Sequence, residues 1–105
     1  MIVIEKNVGP KIDYSLRSKK LCFDDDLTIN LEKREEDWPV HIDICFDADR
    51  TLVIGAAAGR SYVAEIDIPE RQYREVPPAE EGEEPTMEPV PLDTDTVTLT
   101  LWAIE

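Results

Sequence analysis

Apolar and polar residues alternate with a period of two along much of the chain. In VHIDICF, residues 40–46, apolar side chains take the even positions and polar His41 and Asp43 take odd ones. Successive side chains of a strand point to opposite faces, so this alternation predicts half-buried strands. Similar runs occupy residues 2–5, 12–16, 21–31, 51–54, 61–68 and 96–104. The pattern therefore predicts about seven or eight short strands.

Clusters of turn-forming residues separate these runs. The run 21–31 is interrupted by Asp24, Asp25 and Asp26. Its Leu and Ile residues are at odd-numbered positions both before and after this cluster. Three adjacent carboxylates repel one another in an extended strand, and Asp favours turns. A hairpin is thus favoured there over one bulged strand. The segment DADR, residues 47–50, is predicted to be a second turn.

No segment shows the wide apolar stripe of an amphipathic helix. At most one short helical turn is predicted near residues 69–76, where Pro69 precedes good helix formers. Residues 75–91 hold five of the eight prolines, and from Glu75 to Glu88 six acids occur without a basic residue. This composition predicts a long, mobile acidic loop, either functional or, as we favour, a tolerated insertion.

The lack of crossover helices between the strands indicates antiparallel pairing. We therefore predict an all-β fold, namely a small antiparallel β-sandwich or partly closed barrel. A chain of 105 residues corresponds to one domain. Residues 1–105 are accordingly taken as a single β domain, with 75–91 as a loop insertion.

The segment LVIGAAAGRSY raises the alternative of a phosphate-binding loop. That motif needs four residues between its glycines and a Lys before the Ser or Thr. Here three residues separate Gly55 from Gly59, and Arg60 stands in place of the Lys. A strand-like run follows where the motif needs a helix, so no nucleotide ligand is expected. Gly55 or Gly59, or both, are instead predicted to lie at a turn, a bulge or a close backbone contact in a sheet.

Charge narrows the range of partners. The chain has 24 acidic and 11 basic residues and a formal net charge of −13, and five of the basic residues lie within residues 1–20. Binding to nucleic acid rests on cationic contacts with phosphate, so no direct nucleic-acid partner is expected, and an anionic membrane surface is disfavoured for the same reason.

The chain lacks a basic, apolar leader and a run of about 20 apolar residues. A cytoplasmic location is therefore expected, with Cys22 and Cys45 reduced.

Candidate chemistry centres on the only histidine. His41, Asp43 and Cys45 occupy alternate positions of one predicted strand, so they share a face. Such side chains could bind a transition metal or pair a thiol with a base. Three groups in a line, with no second cluster, favour the simpler interpretation of a partly exposed His and a buried Cys. No cofactor is predicted.

Acidic turns provide weaker metal candidates. Asp24, Asp25 and Asp26, and also Asp47 and Asp49, have the carboxylates that calcium prefers. Neither group has the spacing of an EF-hand loop. Capping of local backbone amides is the favoured role for these residues.

Two tryptophans, an isoleucine and a basic pair are the candidate contact residues. Trp102 and Ile104 have the parity opposite to the leucines of the last strand, so they form a contact surface unless both faces of that strand are covered. Trp38 follows an acidic loop and is expected to cover one end of the core. Lys19 and Lys20 oppose the acidic remainder and could support self-association, although such a pair is more often a solvated hairpin end.

These observations favour a non-catalytic protein-interaction or assembly module, whose partner is another protein or a second copy. An acidic inhibitor, or nucleic-acid mimic, that binds a basic partner is the first alternative. A small enzyme or metal-binding domain centred on His41, Asp43 and Cys45 is the second. Catalysis is the less favoured class, because the chain has one histidine and neither a nucleophile motif nor a phosphate loop.

Overall fold

The structure is a computed structural model that describes residues 1–57 and 59–104. Those residues form ten strands, one α-helical turn and one 3-10 turn, so the all-β prediction is confirmed. The strands are β1 (Ile2–Glu5), β2 (Tyr14–Arg17), β3 (Lys20–Phe23), β4 (Leu27–Asn30), β5 (Val40–Phe46), β6 (Leu52–Ile54), β7 (Ser61–Ile68), β8 (Tyr73–Val76), β9 (Thr86–Pro89) and β10 (Thr98–Leu101). The turns are α1 (Leu31–Arg34) and a 3-10 turn (Thr94–Thr96). Each predicted run overlaps at least one of these strands, and β8 and β9 are additional.

A five-stranded sheet, in the order β1-β10-β7-β5-β6, positions the candidate site. β1 runs parallel to β10, and the other neighbours are antiparallel. The inner face buries one parity of β5 and β7, including Ile42, Ile44, Ile66 and Ile68. The polar side chains of both strands have the opposite parity and therefore lie on the outer face.

A three-stranded sheet, β2-β3-β4, supplies the rest of the core. Its side chains Leu21, Phe23 and Ile29 are fully buried. They belong to the same apolar cluster as the inner face of the central sheet. The described residues of these two sheets are thus held together by one hydrophobic core, and both sheets are open rather than closed into a barrel.

Tight turns join the strands of the second sheet. Asp24 and Asp25, between β3 and β4, have φ values of 54° and 51°. Asp adopts this left-handed region more readily than most residues, because its short side chain bonds nearby backbone groups. The hairpin favoured by the sequence is therefore confirmed. α1 follows β4 directly, and the Asn30 side chain caps it by accepting a hydrogen bond from the Lys33 amide at 3.2 Å.

The acidic, proline-rich segment forms a third sheet at its two ends. β8 and β9 pair antiparallel, with Tyr73 opposite Pro89. β8 replaces the helical turn expected within residues 69–76, because its residues have a strand partner that a single sequence does not reveal. The loop predicted over residues 75–91 is irregular at residues 77–85, but the end of β8 and the whole of β9 lie within the predicted range. The prolines are tolerated here because both strands of a two-stranded sheet are edges.

The hairpin β8–β9 lies outside the compact core, since all its residues are exposed or half-buried. The molecule is elongated, with extents of 63 × 23 × 21 Å. Its radius of gyration is 17.5 Å, whereas a compact chain of this length has about 13 Å. Arg71 ties the base of the hairpin to the body by donating to Glu35 Oε1 at 3.3 Å and to the Glu35 backbone oxygen at 2.8 Å.

The two glycines of GAAAG have the structural roles predicted for them. Gly55 comes directly after β6 and has a φ of +94°. Gly59 lies so close to β5 that a Cβ there would be 2.7 Å from Cys45 Cβ. β7 begins at Ser61, so a strand follows the glycines, as predicted. Within residues 1–57 and 59–104, no helix has the length and apolar character needed to cross a membrane.

Candidate functional site

The candidate site lies on the outer face of the central sheet, where β5 and β7 pair. His41 is directly opposite Asp67, and Asp43 is directly opposite Glu65. Opposed residues of antiparallel strands project from the same face with Cβ atoms about 4.5–5.5 Å apart. The alternation that buries the isoleucines thus brings one imidazole and three carboxylates together.

His41 contacts all three carboxylates. Its Nδ1 lies 2.6 Å from Asp67 Oδ1, and its Nε2 lies 2.8 Å from Asp43 Oδ1 and 3.5 Å from Glu65 Oε1. An imidazolium donates from both nitrogens, so the charged ring satisfies Asp67 and Asp43 at once. The side chains of His41, Asp43 and Glu65 are 47%, 24% and 23% exposed, so the cluster is partly open to solvent.

These contacts raise the pKa of His41. The hydrogen bond to Asp67 is the largest cause, partial burial opposes it, and the hydrogen bond to Asp43 adds to it. Hydrogen bonding to the charged form of a group favours that form. The ring therefore stays cationic to a higher pH than a free imidazole does.

Trp102 fixes one of the carboxylates. Its indole Nε1 donates to Glu65 Oε2 at 2.8 Å, and the other oxygen, Oε1, is directed to His41. The indole stacks on Tyr62 with ring centroids 5.0 Å apart and an interplanar angle of 22°. The Lys6 ammonium lies 5.4 Å from the centre of the indole, close enough for a cation–π contact. Trp102 is thus engaged within the chain and half-buried, and it supports the cluster on the outer face.

Cys45 does not belong to this cluster. The pairing register shifts between Ile44 and Cys45, which places Cys45 opposite Tyr62, and Cys45 is only 2% exposed. Burial raises the pKa of the Cys45 thiol, and the negative charges of Asp43 and Glu65 raise it further. Cys45 is therefore the buried, weakly reactive cysteine of the simpler interpretation.

Among the described residues, the group that can hold a metal ion consists of His41, Asp43 and Glu65, with ligand atoms all within 4.8 Å of one another. It keeps two members of the predicted grouping on β5 and replaces Cys45 with a residue of β7. Glu65 and Asp67 were not predicted as site residues, although their alternate positions place them on one face. The missing information was the register between β5 and β7, which the periodicity of each strand does not contain.

The acidic turn residues have a structural role where their contacts are defined. Asp47 Oδ1 accepts hydrogen bonds from the amides of Asp49 and Thr51, each at 2.9 Å. This is the capping expected of Asp in a turn. Asp24, Asp25 and Asp26 lie at the turn between β3 and β4. None of these five acids belongs to the metal-capable group found in the described part of the chain.

The remaining predicted contact residues differ in exposure. Trp38 was expected to cover one end of the core, but it is 61% exposed and does not do so. Ile104 is half-buried and packs against the core. Lys19 lies in the turn between β2 and β3, with its ammonium 3.8 Å from a Glu32 carboxylate oxygen. Lys20 begins β3 and is exposed, so the basic pair lies at a hairpin end.

An exposed apolar edge is a second feature of the central sheet. Ile2, Val3 and Ile4 are 52%, 43% and 47% exposed. β1 is the last strand in the order of its sheet, so no other described strand pairs with its free side. Natural sheets usually protect such edges with charge, proline or a covering segment. The run 2–5 was expected to be a half-buried strand, but all four of its residues are exposed, and its three consecutive apolar residues are the sequence signal of this edge.

The two features offer different chemistry. The cluster combines an imidazole nitrogen with carboxylate oxygens, which are donors for a divalent ion. The edge combines free backbone hydrogen-bonding groups with apolar side chains, which are the requirements for adding a strand. Comparison of the chain with protein-family models, curated proteins and solved structures gave no match.

Proposed function

We propose that this protein is a non-catalytic assembly module that associates with a second copy of itself through the edge strand β1. The observation that carries the proposal is the exposed apolar edge formed by Ile2, Val3 and Ile4. Pairing two such edges would bury these side chains and join two central sheets into one continuous sheet.

The backbone of β1 is oriented for this pairing. The amides of Ile2 and Lys6 donate to backbone oxygens of the neighbouring segment at 2.8 Å, so even-numbered residues face β10. Successive residues of a strand direct their backbone groups to opposite sides. The N–H and C=O groups of Val3 and Glu5 therefore point away from the sheet, where a second strand would bond them.

A second copy fits this edge because two-fold symmetry pairs a strand antiparallel with itself. Glu5 and Lys6 both lie at one end of the strand. With Ile4 opposite Ile4 of the second copy, Glu5 faces the copy's Val3 and Lys6 faces its Ile2. Like charges are then never directly opposed, whereas in-register parallel pairing would place Glu5 against Glu5.

The proposal places the module in the cytoplasm, where the free thiols of Cys22 and Cys45 would stay reduced. The acidic-inhibitor alternative has less support, because the acids are divided among residues 77–85, the β3–β4 turn and the outer face of the sheet. An enzyme centred on His41 has less support, because Cys45, the nucleophile of the predicted grouping, is buried and lies outside the cluster.

Solution mass across protein and salt concentration tests the proposal. The wild-type chain is expected to form a dimer that persists as salt is raised, because screening weakens the repulsion between two chains of net charge −13. Val3→Glu is expected to weaken association by roughly tenfold or more, because the new carboxylate faces Glu5 of the copy and symmetry repeats this like-charge pair.

Val8→Glu is the matched control, since Val8 is 100% exposed and lies outside β1. It makes the same chemical change and is expected to leave the dimer intact. A wild-type monomer at every concentration and salt would overturn the proposal. So would a Val3→Glu variant that dimerises as tightly as Val8→Glu.

A further inference from the structure

The outer face of the central sheet carries a second, independent inference, which does not rest on the proposed assembly through β1. We propose that His41 Nε2, Asp43 and Glu65 form a three-ligand site for a divalent transition-metal ion, with Zn²⁺ as its best-fitting occupant. The three side chains come from two directly paired strands. Their donor atoms all lie within 4.8 Å of one another on the outer face of the sheet.

The two distances from His41 Nε2 to the carboxylate oxygens are close to those between neighbouring ligands of a metal ion. Nε2 of His41 is 2.8 Å from Asp43 Oδ1 and 3.5 Å from Glu65 Oε1. Zinc bonds to imidazole nitrogen and carboxylate oxygen are about 2.0–2.2 Å long, so neighbouring ligand atoms in such a site are roughly 3–3.6 Å apart. Small side-chain rotations and release of the Nε2 proton to solvent therefore suffice to admit an ion.

Two outer hydrogen bonds orient the ligands. Asp67 Oδ1, 2.6 Å from Nδ1, holds the His41 ring with Nε2 toward the other two carboxylates. Trp102 Nε1 occupies Glu65 Oε2 and directs Oε1 toward the same point. A carboxylate on the far nitrogen of a ligating histidine is the usual outer partner in zinc proteins. Trp102 lies after β10, on a different segment from the three ligands, and its indole is uncharged. Its hydrogen bond therefore supports the site independently of the acidic side chains.

Charge and donor type select the class of ion. Three carboxylates surround one imidazole, so a divalent cation offsets most of the local negative charge. The nitrogen donor favours a transition metal over calcium or magnesium, which prefer oxygen alone. Three protein ligands on a partly exposed face leave at least one coordination position for water.

The single histidine makes the test specific, because its ring signals in NMR belong to one residue. Chelator-treated protein is titrated with Zn²⁺, and affinity is measured by competition with a fluorescent chelator. We expect one ion per chain, with the Nε2 resonance of His41 shifted to its metal-bound position. Ca²⁺ at the same concentration is expected to leave that resonance in place.

Variants separate a built site from counterion binding. Asp43→Asn and Glu65→Gln keep the side-chain shapes and are expected to weaken Zn²⁺ binding by about a hundredfold, and Trp102→Phe by about tenfold. Asp49→Asn, which removes one exposed acid from a turn, is the charge-matched control and is expected to bind as wild type.

Three results would overturn the proposal. The first is an unshifted His41 resonance in the presence of Zn²⁺. The second is several weakly bound ions per chain that Asp43→Asn and Asp49→Asn reduce equally. The third is equal competition by Ca²⁺. Each would show that His41 acts only as an imidazolium that neutralises its neighbouring carboxylates.

Discussion

Replacement of the two glycines of GAAAG by alanine separates a steric cost from a conformational one. A Cβ at Gly59 would lie 2.7 Å from Cys45 Cβ and 3.0 Å from Cys45 Sγ. Carbon atoms in favourable contact are about 3.5–4.0 Å apart, so the loop at Gly59 must move away from β5. Overpacking of this kind costs about 1–3 kcal/mol. At Gly55 nothing lies within 4 Å of the added Cβ, but its φ of +94° is unfavourable for any residue with a side chain.

Urea denaturation of the variants measures both costs. Gly59→Ala is expected to lower the free energy of unfolding by about 1–3 kcal/mol, and Gly55→Ala by about 1 kcal/mol. Substitution by asparagine instead of alanine is expected to have opposite effects at the two glycines. Asn tolerates positive φ better than Ala, so Gly55→Asn should be milder than Gly55→Ala, whereas the larger side chain makes Gly59→Asn worse than Gly59→Ala.

A double-mutant cycle identifies the contact responsible. Cys45→Gly removes both atoms that the new Cβ meets, so Gly59→Ala should cost less in that background than in the wild-type chain. Wild-type stability in Gly59→Ala would refute the close contact between these residues. Equal costs of Gly59→Ala in the two backgrounds would show that the damage arises elsewhere.

Two further predictions concern the base of the hairpin and the thiols. Arg71→Ala should lower the free energy of unfolding by about 1.5–3 kcal/mol, because Glu35, which is only 8% exposed, loses its guanidinium partner; urea denaturation measures this, and an unchanged midpoint would contradict it. Cys22 is half-buried and Cys45 buried, so a thiol reagent should label Cys22 in the native protein and Cys45 only after unfolding. Mass spectrometry of the labelled peptides checks the order, and equal labelling rates would contradict it.

Local alternation made most of the fold predictable. The pattern in β5 and β7 gives both the strand type and the buried face, because one face of each strand packs on the core. The Asp24–Asp26 turn was predictable for a similar reason, since its chemistry is contained in three adjacent residues. The same holds for Gly55 and Gly59, whose small size signals either positive φ or close approach.

Features that depend on pairing between distant segments were not predictable. Glu65 joins His41 only through the register of β5 against β7, and a bulge beside Cys45 removes that residue from the expected grouping. β8 lies in a proline-rich, acidic context whose composition predicts a loop. Its partner strand, β9, is separated from it by residues 77–85, and no local pattern specifies that pairing.

The order of strands in the central sheet has a consequence for how the chain folds. β1 is the first of the ten strands in the sequence, but its neighbour among them is β10, the last. Such a non-local pairing closes late, because residues 6–97 must first be made and the loop between the strands must be ordered. β10 also lies between β1 and β7, so β1 can join the central sheet only once β10 is in place. Until that step, an apolar strand has no partner within its own chain, and pairing with another nascent chain competes with folding.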